Sequence, residues 1–178
     1  MRRRSFEDLE CPIARSLERV GEWWSILILR DAFRGATHFE QFQKSLDIAP
    51  SILSRRLASL VADGMLTKRR YSERPPRDEY VLTEQGKDFR PVLWSLLAWG
   101  NRHFATEGHS LVIVDTVTGA LADPVLMDAH TMRPLDPRSF HTVPGPAASA
   151  AFRRRHAATR HVGGGEAPAG QRPEQTNA

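Results

Sequence analysis

Four small or polar side chains of one predicted helix share the face that lies opposite to its leucines, at about 100° of rotation per residue. They are Ser51, Ser54, Arg55 and Ala58, and Arg56 lies on the flank. Small side chains let a helix approach a groove closely, and arginine can donate paired hydrogen bonds to phosphate or to a guanine edge. The chemistry that this face favours is recognition of a nucleic acid. The alternative is an ordinary solvated helix face, because surface helices usually carry charged outer faces.

A second basic cluster follows along the chain and consists of Lys68, Arg69, Arg70, Arg74 and Arg77, interspersed with three acidic residues. Residues 66–71 and 79–83 are predicted to form two strands of a hairpin. The paired prolines 75 and 76 mark its tip, because proline cannot continue a ladder of hydrogen bonds. A basic hairpin suits the phosphate backbone of a duplex. The cations expected to hold the backbone or the minor groove are Lys68, Arg69, Arg74 and Arg77.

The elements that position these side chains form a predicted helix–turn–helix over residues 37–64. Thr37 and Glu40 have the spacing of a capping box, which predicts the start of the first helix. Pro50 is favoured at the first position of the second helix, and Gly64 permits a left-handed cap at its end. A helix–turn–helix followed directly by a hairpin is the winged-helix arrangement.

Two further helices are predicted before this motif. The first, residues 12–20, is expected to turn three apolar residues inward: Ile13, Leu17 and Val20. The second, residues 22–34, is apolar around most of its circumference and is expected to be the central core helix. Arg30 and Asp31 are adjacent rather than one turn apart, so each is expected to pair elsewhere.

After the hairpin, Thr83 is predicted to cap a third long helix that runs to about Phe104. Its apolar stripe contains Phe89, Val92, Leu93, Leu96, Leu97, Gly100 and Phe104, and two tryptophans widen it. This stripe is larger than a small domain easily buries alone. The pattern alone is compatible with either a core helix or a dimer interface.

Short motifs run in order from Cys11 to Gly100: Cys11-Pro12, Gly21-Glu22-Trp23-Trp24-Ser25, Ile28-Leu29-Arg30-Asp31, Phe39-x-x-Phe42, Ile48-Ala49-Pro50, Leu53-Ser54-x-Arg56-Leu57, Asp63-Gly64 and Pro75-Pro76-Arg77-x-Glu79-Tyr80-x-Leu82-Thr83. Together they resemble the HxlR-type family of winged-helix transcriptional regulators. The resemblance implies a mainly α (α+β) fold, a winged helix-turn-helix with a long C-terminal dimerisation helix. It also implies a homodimer, formed through the first and last helices, that binds a pseudo-palindromic operator in double-stranded DNA.

For this chain, the dimer interface that the resemblance implies would contain Phe89, Leu93, Leu96, Leu97 and Phe104. Two positions depart from the family pattern. Trp23 stands where the family usually has a basic residue, and it adds aromatic surface. Ala49 stands where the family usually has a hydroxyl residue that caps the second helix of the motif, at a cost of about 1 kcal/mol of helix stability.

Cys11 is the one candidate for a reactive thiol. It precedes Pro12 at a predicted helix start, where the helix dipole and free amides favour a thiolate. In some HxlR-type proteins the matching cysteine senses electrophiles or oxidants. The resemblance therefore makes Cys11 a candidate thiol sensor, and the alternative is a small, partly buried residue at a helix cap.

Beyond Gly108 the chain repeats one phrase at a fixed offset. Asp115-x-x-Thr118 with Asp123-Pro124 recurs as Asp128-x-x-Thr131 with Asp136-Pro137, which predicts two small β-turn units. The spacing resembles a pair of C-x-x-C zinc knuckles in which every cysteine has been replaced, so no metal site is expected. We divide the chain into a basic N-terminal arm (1–10), a winged-helix domain (11–107), a β-turn-rich extension (108–145) and a largely disordered Ala/Arg/Gly/Pro-rich tail (146–178).

The whole chain has 178 residues, a formal net charge of +4 and one cysteine. The net charge suits a polyanionic partner. We expect no disulfide framework, secretory signal or transmembrane helix, and a cytoplasmic location. No catalytic or cofactor-binding motif appears, so neither an enzyme nor a bound cofactor is expected. A winged-helix protein–protein module is the alternative function. A further alternative is a pocket for an unknown small-molecule effector, lined by Trp23, Trp24, Trp94 and Trp99. Such residues more often form part of the core.

Overall fold

The computed structural model describes Phe6 and residues 9–160, in two units that divide between Leu135 and Asp136. The first unit contains α1 (Pro12–Val20), α2 (Trp23–Phe33), α3 (Phe39–Leu46), α4 (Pro50–Ala62), β1 (Leu66–Glu73), β2 (Pro76–Leu82), α5 (Glu84–Lys87), α6 (Arg90–Phe104), β3 (Ile113–Val114) and β4 (Leu121–Ala122). The second contains α7 (Ala150–Arg160). A helix–turn–helix followed by an antiparallel hairpin is present as predicted. No helix in the described ranges is long and apolar enough to cross a membrane.

The core of the first unit forms where α2, α3, α4 and the start of β1 meet. Its fully buried side chains are Ile28, Leu29, Phe42, Leu53, Leu57, Leu60 and Leu66. α2 supplies the first two and packs against both helices of the motif. The prediction that this apolar helix is the centre of the core is confirmed.

The cap at the start of the helix–turn–helix differs from the prediction, and the cap at its end agrees with it. α3 begins at Phe39, and Gln41 Oε1 accepts hydrogen bonds from the amides of Thr37 (2.8 Å) and His38 (2.9 Å). The capping pair is therefore His38 and Gln41, and the predicted pair of Thr37 and Glu40 is wrong by one residue. At the end of α4, Gly64 has a φ of +72° as predicted.

The long helix predicted from Thr83 is wrong, because the structure has two helices there. Thr83 Oγ1 accepts a hydrogen bond from the Gly86 amide (3.0 Å) and caps the short α5. Pro91 has no amide hydrogen for the Lys87 carbonyl, and its ring would clash with that carbonyl in a continuous helix. A new helix, α6, therefore starts at Arg90.

The first helix also differs from the prediction. α1 has the predicted bounds, and Val20 is buried, but the side chains of Ile13 and Leu17 are 71% and 46% exposed. The inward orientation predicted for these two residues is wrong. Among the described residues of α1, only Val20, at its end, contributes to the core of its own chain.

The repeated Asp-x-x-Thr phrases form two turns, as predicted. Asp115 accepts hydrogen bonds from the amides of Val117 and Thr118, both at 2.8 Å. Asp128 accepts from the Thr131 hydroxyl and from its amide, at 2.5 and 3.0 Å. These bonds lower the pKa of both carboxyl groups. The first turn joins β3 to β4, and the Asn101 side chain of α6 donates to the Leu111 carbonyl (2.9 Å) just before β3.

In the second unit, Asp136 starts another turn and accepts from the Arg138 side chain, which lowers the pKa of the Asp136 carboxyl. α7 lies within the tail that was predicted to be largely disordered, so residues 150–160 differ from that prediction. The basic residues Arg2, Arg3 and Arg4 and residues 161–178 lie outside the described residues, so their predicted roles stay predictions.

We predict that Ala49→Ser stabilises the protein. Ala49 is the N-cap of α4, its backbone is extended, and its side chain offers no hydrogen bond to the free amides of the first turn. A serine hydroxyl there should raise the free energy of unfolding by about 1 kcal/mol in urea denaturation at fixed protein concentration.

Ala58→Ser is the matched control, since it makes the same chemical change in the exposed interior of α4. It should lower the free energy of unfolding by roughly 0.5 kcal/mol, because serine is a poorer helix former than alanine. Equal shifts in the two variants would contradict the capping explanation.

Candidate nucleic-acid interface

A tight turn sets the angle between the two helices of the motif. Asp47 ends α3 in the left-handed region, with a φ of +46°, which a short polar side chain tolerates better than most. Ile48 then enters the core, and Pro50 begins α4 as predicted. The outer face of α4 is thereby held in a fixed direction.

That outer face is the one predicted from the helical period. Its exposed residues are Ser51, Ser54, Arg55 and Ala58, while the leucines on the other side are fully buried. Among the described residues Arg55 forms no ion pair. Its guanidinium keeps all its donors available to a ligand.

Arg56 requires a correction. It was expected near the edge of the groove, but its side chain is only 15% exposed and its Nη2 lies 2.9 Å from Glu22 Oε2. Glu22 is the N-cap of α2, so this ion pair joins α4 to the start of the central helix. Arg56 therefore stabilises the domain, and its charge is already compensated.

The hairpin, which we call the wing, is longer than predicted. β1 and β2 pair from Leu66 opposite Leu82 to Glu73 opposite Pro76, with a bulge after Arg70. A two-residue turn, Arg74 and Pro75, forms the tip, where Pro76 starts β2 without the need to donate to the ladder. The predicted position of the tip is confirmed.

Most cations of the wing are bound to acidic residues across the hairpin. Lys68 Nζ lies 2.9 Å from Asp78 Oδ2, Arg70 Nε lies 2.6 Å from Asp78 Oδ1, and Arg69 Nη2 lies 3.1 Å from Glu79. The hydrogen bonds from Arg70 and then Lys68 lower the pKa of Asp78, and the bond to Asp78 raises the pKa of Lys68. The positive charges of Lys68 and Arg69 are thus partly compensated. Arg74 and Arg77, exposed at the tip, form no ion pair within the described part of the chain.

The wing is also attached to the helix–turn–helix, which the sequence did not predict. The Tyr80 amide donates to the Thr37 carbonyl (2.7 Å), and His38 forms an antiparallel bridge with Glu79. The His38 and Tyr71 rings meet edge to face, with centroids 4.6 Å apart. At the other end, Thr83 Oγ1 donates to the Gly64 carbonyl (2.5 Å) at the end of α4. The wing and α4 are therefore fixed relative to each other.

The five residues predicted for the dimer interface separate into two groups. Phe89 packs against the core of its own chain, and Leu93 and Leu97 line a cavity between α6 and α2. Leu96 and Phe104 are exposed, and Leu96 also lines that cavity. The free apolar strip of α6 consists of Val92, Leu96 and Trp99, spaced by one turn each, so two of its members were not among the predicted interface residues.

Cys11 lies at the N-cap of α1 and is partly buried. The nearby Arg15 donates its Nε–H to the Leu9 carbonyl (2.6 Å). The role of Cys11 as a sensor stays a prediction. Within the described ranges, no three His, Cys, Asp or Glu side chains lie close enough together to hold a metal ion.

Comparison with known proteins identifies this arrangement. A family model described as HxlR-like helix-turn-helix matches residues 19–108, which include α2 to α6 and the wing. The chain belongs to the HxlR-like helix-turn-helix family. Members of this family are DNA-binding transcriptional regulators, which is not a class of enzymes, and the resemblance noted in the sequence is confirmed.

Several relatives extend the likeness. The HTH-type transcriptional regulator Rv3095 of Mycobacterium tuberculosis, itself uncharacterised, is 38% identical over 135 residues, 75% of this chain and 85% of the relative. The solved structure of PA1374, a candidate transcription factor of Pseudomonas aeruginosa, is 49% identical and covers 82% of this chain and 99% of its own, with a TM-score of 0.60. The solved structure of PA1607, another candidate transcription factor, is 33% identical to this chain, with a TM-score of 0.72. The match covers 80% of this chain and 100% of PA1607. These matches are longer than the family model, so the likeness extends beyond the winged helix.

We predict that Asp78→Asn strengthens binding of this HxlR-like protein to random duplex DNA. The substitution removes the carboxylate that binds Lys68 and Arg70. Lys68 then becomes available to phosphate, and Arg70 keeps only the longer ion pair with Glu73 (3.7 Å). In a salt titration the slope of log K against log[salt] should steepen by about one for each additional phosphate that a chain binds.

Asp88→Asn makes the same change in net charge at an exposed position outside the wing. It should leave the slope almost unchanged. If both variants increase affinity equally, net charge alone explains the effect and the ion pairs of the wing do not restrain binding.

Proposed function

We propose that this chain regulates transcription as a homodimer that binds a pseudo-palindromic operator, with α4 in the major groove and the wing on the adjacent backbone. The family establishes DNA binding and regulation. The assignment of individual residues rests on their exposure and on their ion pairs.

The exposed face of α4 is the observation that carries the proposal. Ser51, Ser54 and Ala58 leave little bulk between the helix backbone and a ligand, and Arg55 projects from the same face without a carboxylate partner in the described part of the chain. A surface of this shape can enter a major groove, where a single arginine can bind O6 and N7 of guanine together. We assign recognition of the DNA sequence to Arg55 and to the two serines.

The wing is assigned to phosphate or to the minor groove. Arg74 and Arg77 lie at the exposed tip and keep their charge available, whereas Lys68 and Arg69 share theirs with Asp78 and Glu79. Phosphate contacts fix the register of a protein on a duplex but carry no sequence information directly. We therefore assign Arg74 and Arg77 to positioning, with Lys68 and Arg69 as weaker contacts.

Dimerisation is supported by two exposed apolar faces. α1 presents Ile13 and Leu17, and α6 presents Val92, Leu96 and Trp99. Contiguous exposed apolar residues on two helices are typical of an interaction surface. A two-fold dimer would place two copies of α4 on half-sites one helical turn apart, which a pseudo-palindromic operator requires.

We predict opposite patterns for Arg55→Ala and Arg74→Ala, although each removes one positive charge. Arg55→Ala should cost roughly 1–3 kcal/mol on the operator and relax choice at one position in each half-site. Arg74→Ala should weaken operator and random duplex alike and reduce the salt slope by about one for each phosphate that a subunit no longer binds. The operator for these titrations comes from selection of bound duplexes out of a random pool.

Two results would count against this assignment. If Arg55→Ala weakened the operator and random duplex equally, α4 would only position the protein. If the wild-type protein bound no duplex with a steep salt dependence, the alternative function, a winged-helix module for protein–protein interaction, would be favoured.

We predict that Leu96→Asp dissociates the dimer without unfolding the chain. Leu96 is 42% exposed on the free strip of α6, so a carboxylate there is tolerated in the monomer but would be buried in an interface. Light scattering should report half the wild-type mass at micromolar concentration, with an unchanged circular dichroism spectrum.

Val117→Asp is the control, since Val117 is an exposed apolar residue in the turn between β3 and β4. It should leave the mass of the dimer unchanged. A monomeric wild-type protein, or an unaffected Leu96→Asp dimer, would contradict an interface on this strip.

A further inference from the structure

A cavity of about 500 Å³ lies between α2 and α6 and is bounded on one side by the segment that leads into β3. Its apolar wall includes Ile26, Leu27, Leu93, Leu97 and Val112. Trp94 also lines it, as one of the four tryptophans considered for an effector pocket. Pockets of this size and composition are typical of sites for small molecules.

Three arginines distinguish this cavity from an ordinary packing gap: Arg30, Arg34 and Arg90. They come from α2, from its C-cap and from the first residue of α6. Exposed guanidinium groups beside an apolar wall can bind an anionic group by charge-assisted hydrogen bonds. The arrangement suits a molecule with an apolar body and one negative group.

Asp31 fixes two of these arginines in place. Its side chain is 3% exposed, and its Oδ1 lies 2.9 Å from Nε and from Nη2 of Arg30 and 3.9 Å from Nη1 of Arg34. The sequence expectation that Arg30 and Asp31 pair elsewhere is wrong, because the guanidinium turns back onto its neighbour. One carboxylate is shared by two guanidinium groups, so part of their charge remains uncompensated.

Arg90 is the third cation, and it has no ion-pair partner among the residues that the structure describes. Its guanidinium carbon lies 4.7 Å from the centroid of the Phe33 ring, which holds the side chain against the wall by a cation–π contact. That contact orients the group but does not neutralise it. The hydrogen-bond donors of Arg90 remain available to a bound anion.

We propose that this cavity binds a small organic anion, a carboxylate with an apolar body, which Arg90 and Arg34 hold by its charge. The apolar body would replace water against Ile26, Leu93 and Val112. Arginine donates two parallel bonds to a carboxylate, so the anionic group also fixes the orientation of the ligand.

Regulation of operator binding by such a ligand rests on the function proposed above. α2 is the central helix, and it packs against both α4 and α6. A ligand between α2 and α6 would therefore contact the helix that supports α4 and the helix whose outer strip is assigned to the dimer. Binding of the ligand itself does not depend on DNA.

The test is calorimetric titration of the full chain, without DNA, with 2-naphthoate and with 2-naphthamide. The two probes have almost the same shape and differ in charge. We expect saturable binding of one naphthoate per chain and at least about tenfold weaker binding of the amide, since a charge-assisted bond is lost.

Variants locate the site. Arg34→Gln with Arg90→Gln should weaken naphthoate binding at least about tenfold and leave amide binding unchanged, and Val112→Trp, which fills the cavity, should abolish both. Arg102→Gln is the control for removal of a positive charge from α6, because Arg102 lies on this helix but does not line the cavity. Circular dichroism and light scattering confirm that each variant keeps its fold and mass.

Any of three results would overturn the proposal: no saturable heat at millimolar naphthoate, equal binding of the acid and the amide, or unchanged binding in the cavity variants. The first is also the result expected if the partner subunit fills the cavity. DNA binding is measured separately with the duplexes described above. A protein that binds naphthoate but no DNA would refute the proposed function alone, and the converse would refute this site alone.

Discussion

Burial of α2 against α3 and α4 is the interaction on which the rest of the structure depends. Ile28 and Leu29 are fully buried together with Phe42, Leu53 and Leu57. Each such side chain contributes roughly 1.5–3 kcal/mol by leaving water, which is large relative to the net stability of a small domain. The same packing gives α4 its direction, because its leucines can reach the core in only one orientation. The polar face of α4 is therefore exposed as a consequence of packing.

Features that repeat along one helix or strand could be predicted from the sequence. The stripe of α4, the proline at its start, the glycine at its end and the prolines of the wing all follow from local rules, and the structure has each of them. The break before α6 is also local, since Pro91 indicates it. The prediction of one long helix from Thr83 gave more weight to its apolar stripe than to Pro91, although proline inside a helix costs about 3 kcal/mol.

Features that depend on a distant partner could not be predicted. Helical spacing placed Arg56 on the flank of α4, but only the folded chain brings Glu22 to within 2.9 Å of it. Likewise Lys68 and Arg69 are evident as cations in the sequence, and only the register of the hairpin places Asp78 and Glu79 beside them. Ile13 and Leu17 look inward by pattern, but an amphipathic stripe does not specify which chain covers it. By contrast, Arg55, Arg74 and Arg77 form no ion pair within the described part of the chain, and their exposure was predicted from the sequence alone.

The pairing of Thr37 and His38 with the wing has a consequence for how one subunit can respond to a signal. Because β2 is joined to the segment before α3, and Thr83 is joined to the end of α4, α4 and the wing are held together as one body. Bending the wing alone would break backbone hydrogen bonds. In the proposed homodimer, the remaining low-cost motion is a change in the distance and tilt between two such bodies. A signal would then alter the half-site spacing that the protein accepts, while the bases preferred within each half-site stay the same.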